Sequence, residues 1–103
     1  MAWTFRGNIN GTVDSVAQNL PMLIESFRIN NNTLGSVTFN VYMINDYGST
    51  LLSPLNKSLS SGEKYEETES IVMLATEKIR VQTTGSCAYD FTINNTQAPE
   101  VDL

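Results

Sequence analysis

Apolar and polar residues alternate with a period of two through the last part of the chain. Cys87, Tyr89, Phe91 and Ile93 alternate with Ala88, Asp90, Thr92 and Asn94, and Ile79, Val81 and Thr83 alternate with Arg80 and Gln82. Side chains of a strand point to opposite faces in turn, so each run has one apolar and one wet face. Thr84-Gly85-Ser86 supplies a reversal, and the stretch from Ser70 to Asn95 reads as a connection followed by an antiparallel β-hairpin.

The same pattern recurs upstream. Val37, Phe39, Val41 and Met43 face one way and Thr38, Asn40, Tyr42 and Ile44 the other, before an Asn45-Asp46-Tyr47-Gly48 turn. Met22 to Asn30 is a further strand, in which Glu25 shares the parity of Leu23, Phe27 and Ile29. Either Glu25 sits at a sheet edge or a bulge shifts the phase. Asn30-Asn31-Asn32 then leads into a turn in which left-handed backbone is affordable. Thr50 to Leu59 is a weaker strand broken by Pro54, which removes a ladder donor and suggests an edge or a bulge. At Thr12 to Leu20 a helix competes, because Val13, Val16 and Leu20 fall at helical spacing.

About six to eight short strands separated by turns predict an all-β fold, a single antiparallel β-sandwich of jelly-roll or immunoglobulin-like type. The expected organisation is an N-terminal arm with an edge strand (1–20), a sandwich core (21–95) and a tail (96–103). Ile79, Val81, Cys87, Tyr89, Phe91 and Ile93 are expected to share a core with Val37, Phe39, Val41 and Met43. Trp3 and Phe5 in the arm have two settings open to them, their own core or a neighbouring subunit.

Composition narrows the partners. The 103 residues suffice for one core, and 41% apolar with 17% charged residues is ordinary for a globular chain. A formal charge of −5 repels phosphate backbones and anionic lipid, so neither nucleic acid nor membrane is expected as a partner. The opening MAWTFRGNING has no apolar run of the signal-peptide kind, which with the lone cysteine points to synthesis in a cytoplasm. The sequons at Asn10, Asn31, Asn56 and Asn94 then read as a consequence of Asn and Thr richness.

The chain contains no histidine, which removes the commonest general base and metal ligand. A carboxylate pair such as Asp46 with Asp90 would have to be held across a cleft, and neither a catalytic site nor a cofactor is expected. Cys87 lies on an apolar parity and reads as a buried structural thiol. Glu63, Glu66, Glu67 and Glu69 form an acidic stretch, read as a solvated face in preference to a calcium loop. Trp3, Tyr42, Tyr47 and Tyr65 can make a sugar-stacking face only if the fold gathers them; Tyr42 with Tyr65 on one sheet face would be the sign of it.

The succession ESFRINNN, VTFNVYMIN, LSSGEKYEE, IVMLATEKIRVQTTG and YDFTIN resembles a layout of small virion structural proteins of tailed bacteriophages. There a strand ends in Asn, a Val/Tyr strand follows, a Leu-x-x-Gly-Glu turn leads on, and a Leu-x-x-Gly-Asp-x-Ile-x-Val segment precedes the last hairpin. Thr76 stands where that layout has glycine. The resemblance covers Glu25 to Asn95 and implies a sandwich subunit working in multiple copies, as capsid decoration or at the head–tail neck. It implies homo-oligomers, capsid, portal or tail proteins as partners, and a place in the virion. Trp3, Phe5, Val101 and Leu103, in the two terminal segments, are then the expected subunit contacts. The alternative from another class is a stand-alone binding module for carbohydrate or a host protein.

Overall fold

The computed structural model describes the backbone of residues 2–95 and the side chains of residues 4–94. These residues form strands and no helix: β1 (Ala2–Ile9), β2 (Thr12–Asp14), β3 (Met22–Asn31), β4 (Val37–Asn45), β5 (Gly48–Leu51), β6 (Lys57–Leu59), β7 (Lys64–Glu67), β8 (Ile71–Met73), β9 (Lys78–Thr83) and β10 (Cys87–Asn95). They make two antiparallel sheets. Sheet A runs β1-β10-β3, with β7 and β8 side by side along the far edge of β3; sheet B runs β2-β9-β4, with β5 and β6 along the far edge of β4.

The fold is thus an all-β sandwich, and its strand count has a simple origin. β7 pairs with Phe27–Asn30 and β8 with Met22–Ile24, so together they are one interrupted edge. β5 pairs with Tyr42–Asn45 and β6 with Val37–Phe39, an edge interrupted around Pro54 as its missing N–H predicts. Ten strands therefore fill eight sheet positions, the upper end of the expected range. The helical spacing at Thr12 to Leu20 is not used: Thr12–Asp14 is β2, and its central residue Val13 packs on the core.

One expectation is corrected. β9 and β10 lie in different sheets, so the stretch read as a hairpin is an arch that carries the chain across the sandwich. Thr84 N–H donates to Thr38 O (3.0 Å) and Thr38 N–H to Thr84 Oγ1 (2.9 Å), which keeps the end of β9 on β4. Asn32 N–H then donates to Ser86 O (3.2 Å), which starts β10 on β3. Gly85 allows the crossing, since a Cβ there would lie 2.9 Å from Val37 Cγ2. Alternation specifies which side chains face inward, and the same pattern suits a partner alongside or one opposite.

The inward set itself agrees with the pattern. All ten expected core residues, from Val37, Phe39, Val41 and Met43 to Ile79, Val81, Cys87, Tyr89, Phe91 and Ile93, are buried. Full burial of side chains of this size contributes roughly 1.5–3 kcal/mol each. Phe27 stacks on Phe91 within sheet A (4.8 Å, 18°), and Phe39 of sheet B meets Tyr65 of sheet A at 5.4 Å. In β3 a bulge resolves the phase problem: Ser26 pairs with Thr92 and Ile24 with Ile93, leaving Glu25 as the extra residue. Glu25 is exposed and accepts a hydrogen bond from Asn94 Nδ2.

One polar side chain belongs to the interior. Asn31 is 2% exposed, and its Nδ2 donates to Gly35 O (2.7 Å), Leu59 O (3.0 Å) and Ser60 O (3.0 Å). Its Oδ1 accepts from Thr33 N–H (2.8 Å) and Thr33 Oγ1 (2.7 Å). A buried amide satisfied in this way ties the β3–β4 turn to the β6–β7 turn. The Asn triplet thus acts through a side chain, and the turn after it makes no use of the left-handed backbone it could afford.

Candidate functional site

A sandwich offers a partner its edges, its outer faces and its ends. The four edges differ in how they treat their unpaired backbone groups. β2 is three residues long, and the β5/β6 and β7/β8 edges are interrupted, the last carrying Lys64, Glu66 and Glu67. Such short, broken or charged edges discourage pairing with another chain. β1 is different: eight residues pair with β10 without a register break, from Ala2 with Asn94 to Ile9 with Cys87, and among the described residues no strand pairs with its other side. It contains no proline and a single charged residue, Arg6.

The expected contact residues fall as follows. Phe5 is half-buried and packs on the core, its ring 4.8 Å from Tyr89 and 5.4 Å from Phe91. The backbone of Trp3 lies in β1 opposite Ile93. The Trp3 side chain, Val101 and Leu103 lie outside the described residues. The first segment does not stand apart from the core, since β1 covers one side of β10 and β2 covers one side of β9.

The outer face of sheet A is a charged ladder, with Arg6, Asp90, Arg28 and Glu66 in one cross-strand row. Arg28 Nη2 reaches Asp90 Oδ2 at 3.1 Å and Arg6 Nη2 at 4.0 Å, exposed pairs of the kind that contribute little to stability. Asp46 lies in the β4–β5 turn of sheet B, so the sandwich puts it and Asp90 on different sheets and does not gather them as a pair.

The outer face of sheet B is mainly uncharged. Thr12, Gln82 and Asn40 form one row and Asp14, Arg80 and Tyr42 the next. Arg80 grips Asp14 through two bonds, Nε to Oδ1 at 2.7 Å and Nη2 to Oδ2 at 2.9 Å, and Lys78 Nζ lies 3.3 Å from the same carboxylate. The Arg80 hydrogen bonds hold the Asp14 carboxyl below its ordinary value against the opposing effect of burial, and Asp14 in turn raises Arg80. A carboxylate depressed in this way stabilises the fold above its unfolded value, and that contribution fades as pH falls through the folded one.

The remaining candidate groups are occupied in the structure. The Cys87 thiol is buried, and desolvation pushes it up, the opposite of an activated nucleophile. Glu63 accepts from Ser60 N–H (2.7 Å), while Glu67 accepts from Tyr65 Oη (2.9 Å) and Glu69 N–H (3.2 Å). Burial, with the Glu67 carboxylate, raises Tyr65. Among the described residues no group of three or more His, Cys, Asp or Glu is placed to hold a metal ion.

The aromatic residues are dispersed. Tyr42 is on the outer face of sheet B, Tyr65 points into the core against Phe27 and Phe39, and Tyr47 stands 99% exposed at the β4–β5 turn. Tyr42 and Tyr65 therefore do not share a platform. Sequence reasoning also missed two buried hydroxyls that fasten the loops after β2 and β5 onto sheet B. Ser15 Oγ accepts from Ile79 N–H (2.9 Å) and Ser53 Oγ from Val41 N–H (3.1 Å). A serine in a polar loop carries no local sign of burial. Comparison with protein-family models, curated proteins and solved structures returned no match for this chain.

Proposed function

We propose that this protein is a non-enzymatic structural subunit of a tailed-bacteriophage virion, acting in multiple copies as a capsid-decorating protein or a head–tail neck component. The observation that carries the reading is the β1 edge: eight residues, unbroken and, among the described residues, unpaired on one side, in a sandwich whose other edges are short or interrupted. An edge left in that state suits addition of a strand from a neighbour. The layout of Glu25 to Asn95 supports the virion setting, and a −5 chain suits protein partners better than nucleic acid.

Sedimentation of the full-length protein over a wide concentration range tests the assembly, and electron microscopy of particles made with and without the protein tests the setting. A closed oligomer is expected, weakened in Thr4→Lys, which adds a charge at an exposed β1 position without touching the core. A monomer at every concentration, with particles unchanged by the protein's removal, would refute the proposal.

A further inference from the structure

On the outer face of sheet B, two adjoining concavities of about 290 and 230 Å³ share Gln82. One is lined by Thr12, Asn40 and Asn56 among others, and the other by Tyr42 and Arg80. The residues that form this groove are held in place. Asn40 Nδ2 donates to Asn56 Oδ1 (2.9 Å) and Asn56 N–H to Asn40 Oδ1 (2.7 Å), with Asn56 in the left-handed region at φ 50°. Asn40 is buried by this contact although it sits on the outward parity of β4. The Gln82 amide and the Thr12 hydroxyl, by contrast, have no hydrogen-bond partner among the described residues.

We propose that this groove binds a neutral oligosaccharide. Amides and hydroxyls are donors and acceptors at once, which matches sugar hydroxyls that are the same. At the Tyr42 end Arg80 and Lys78 are both drawn onto Asp14, so each of these cations is already engaged by a carboxylate, and the lining of the other concavity carries no charged residue. A peptide strand gains nothing from a sheet face, because the backbone groups of β9 and β4 are already spent in the ladder. Tyr42, next to Gln82 along the groove, supplies one ring against which a sugar can lie. The site is separate from the β1 edge, and each can fail without the other.

The test is a titration of full-length, isotope-labelled protein with neutral glucan, mannan and N-acetylglucosamine hexasaccharides, alongside polygalacturonate and an unstructured peptide as controls. At least one neutral sugar is expected to shift the amide resonances of Gln82, Asn40 and Tyr42. Gln82→Ala and Tyr42→Ala are each expected to weaken that binding about threefold to tenfold, the effect of one lost contact. The resonance map of the unmodified protein locates the site even if a variant folds poorly. No binding by any neutral sugar, shifts confined to another face, or tighter binding of either control would overturn the proposal.

Discussion

The turns Ser60-Ser61-Gly62-Glu63 and Leu74-Ala75-Thr76-Glu77 are built alike. In each, the fourth residue closes the turn onto the first: Glu63 N–H to Ser60 O (3.0 Å) and Glu77 N–H to Leu74 O (3.1 Å). In each, the glutamate side chain returns to the first N–H, at 2.7 Å in one and 2.8 Å in the other. The third N–H of each docks on a distant carbonyl, Gly62 on Asn31 (3.1 Å) and Thr76 on Gln18 (2.8 Å). Each follows a fully buried residue, Leu59 or Met73, and passes the chain from one sheet to the other.

They differ at the third position, where the backbone is left-handed in both, φ 74° at Gly62 and 71° at Thr76. Glycine takes that conformation freely, whereas a β-branched residue is strained there. The comparison teaches that this geometry is imposed by the docking and capping bonds, since it persists where the local residue opposes it. The two turns also differ in anchorage. The first sits on the buried Asn31 and the second on the loop after β2 and on Asn45, whose Nδ2 donates to Glu77 Oε2 (2.9 Å).

The largest expected effect comes from cutting the first turn off its anchor. Asn31→Ala strands Leu59 O and Ser60 O at the β6–β7 turn together with Gly35 O and Thr33 N–H in the β3–β4 turn, and is expected to cost about 3 kcal/mol or more, from the penalty of leaving buried groups unpaired. Urea denaturation measures it, and a loss below about 1 kcal/mol would show that the amide is not what holds the turn.

Exchanging the third residues probes the backbone itself. Gly62→Thr has open space for its side chain and is expected to destabilise by about 1–2 kcal/mol through strain alone. Thr76→Gly is expected to stabilise by up to about 1 kcal/mol, the released strain being partly offset by the freedom glycine gains in the unfolded chain. If both changes move the melting temperature the same way, strain is not the difference between the turns.

The smallest contrast is between the two glutamates. Glu63→Gln keeps an oxygen for Ser60 N–H and is expected to change stability by less than about 0.5 kcal/mol. Glu77→Gln places an amide NH2 against Asn45 Nδ2, and Asn45 cannot flip without losing Tyr47 N–H from its Oδ1 (2.8 Å). It is expected to cost about 1 kcal/mol, and equal losses in the two variants would remove the proposed second role of Glu77.

How far the chain could be read in advance follows from the same contrast. Gly62 announces its turn, because Ser-Gly-Glu after an apolar residue is turn chemistry. At Thr76 the identical geometry was legible only as a departure from a glycine-bearing layout. The interrupted edge at Pro54 and the bulge at Glu25 were readable from a missing donor and a broken parity. Asn31, Ser15 and Ser53 were not, because their bonds reach 28, 64 and 12 residues along the chain. The groove on sheet B was equally hidden: Thr12, Asn40 and Gln82 become neighbours only when β2, β9 and β4 align.

By itself the sequence determined which side chains turn inward, since a period of two is a property of each strand alone and burial of apolar surface selects one face. Only the tertiary structure decided which strand each inward face would meet. The run from Ile79 to Ile93 illustrates the division, with every inward residue in place and the supposed hairpin opened into an arch between sheets. Pairing and register depend on hydrogen bonds between segments far apart in the chain, and no local pattern of apolar and polar residues encodes them.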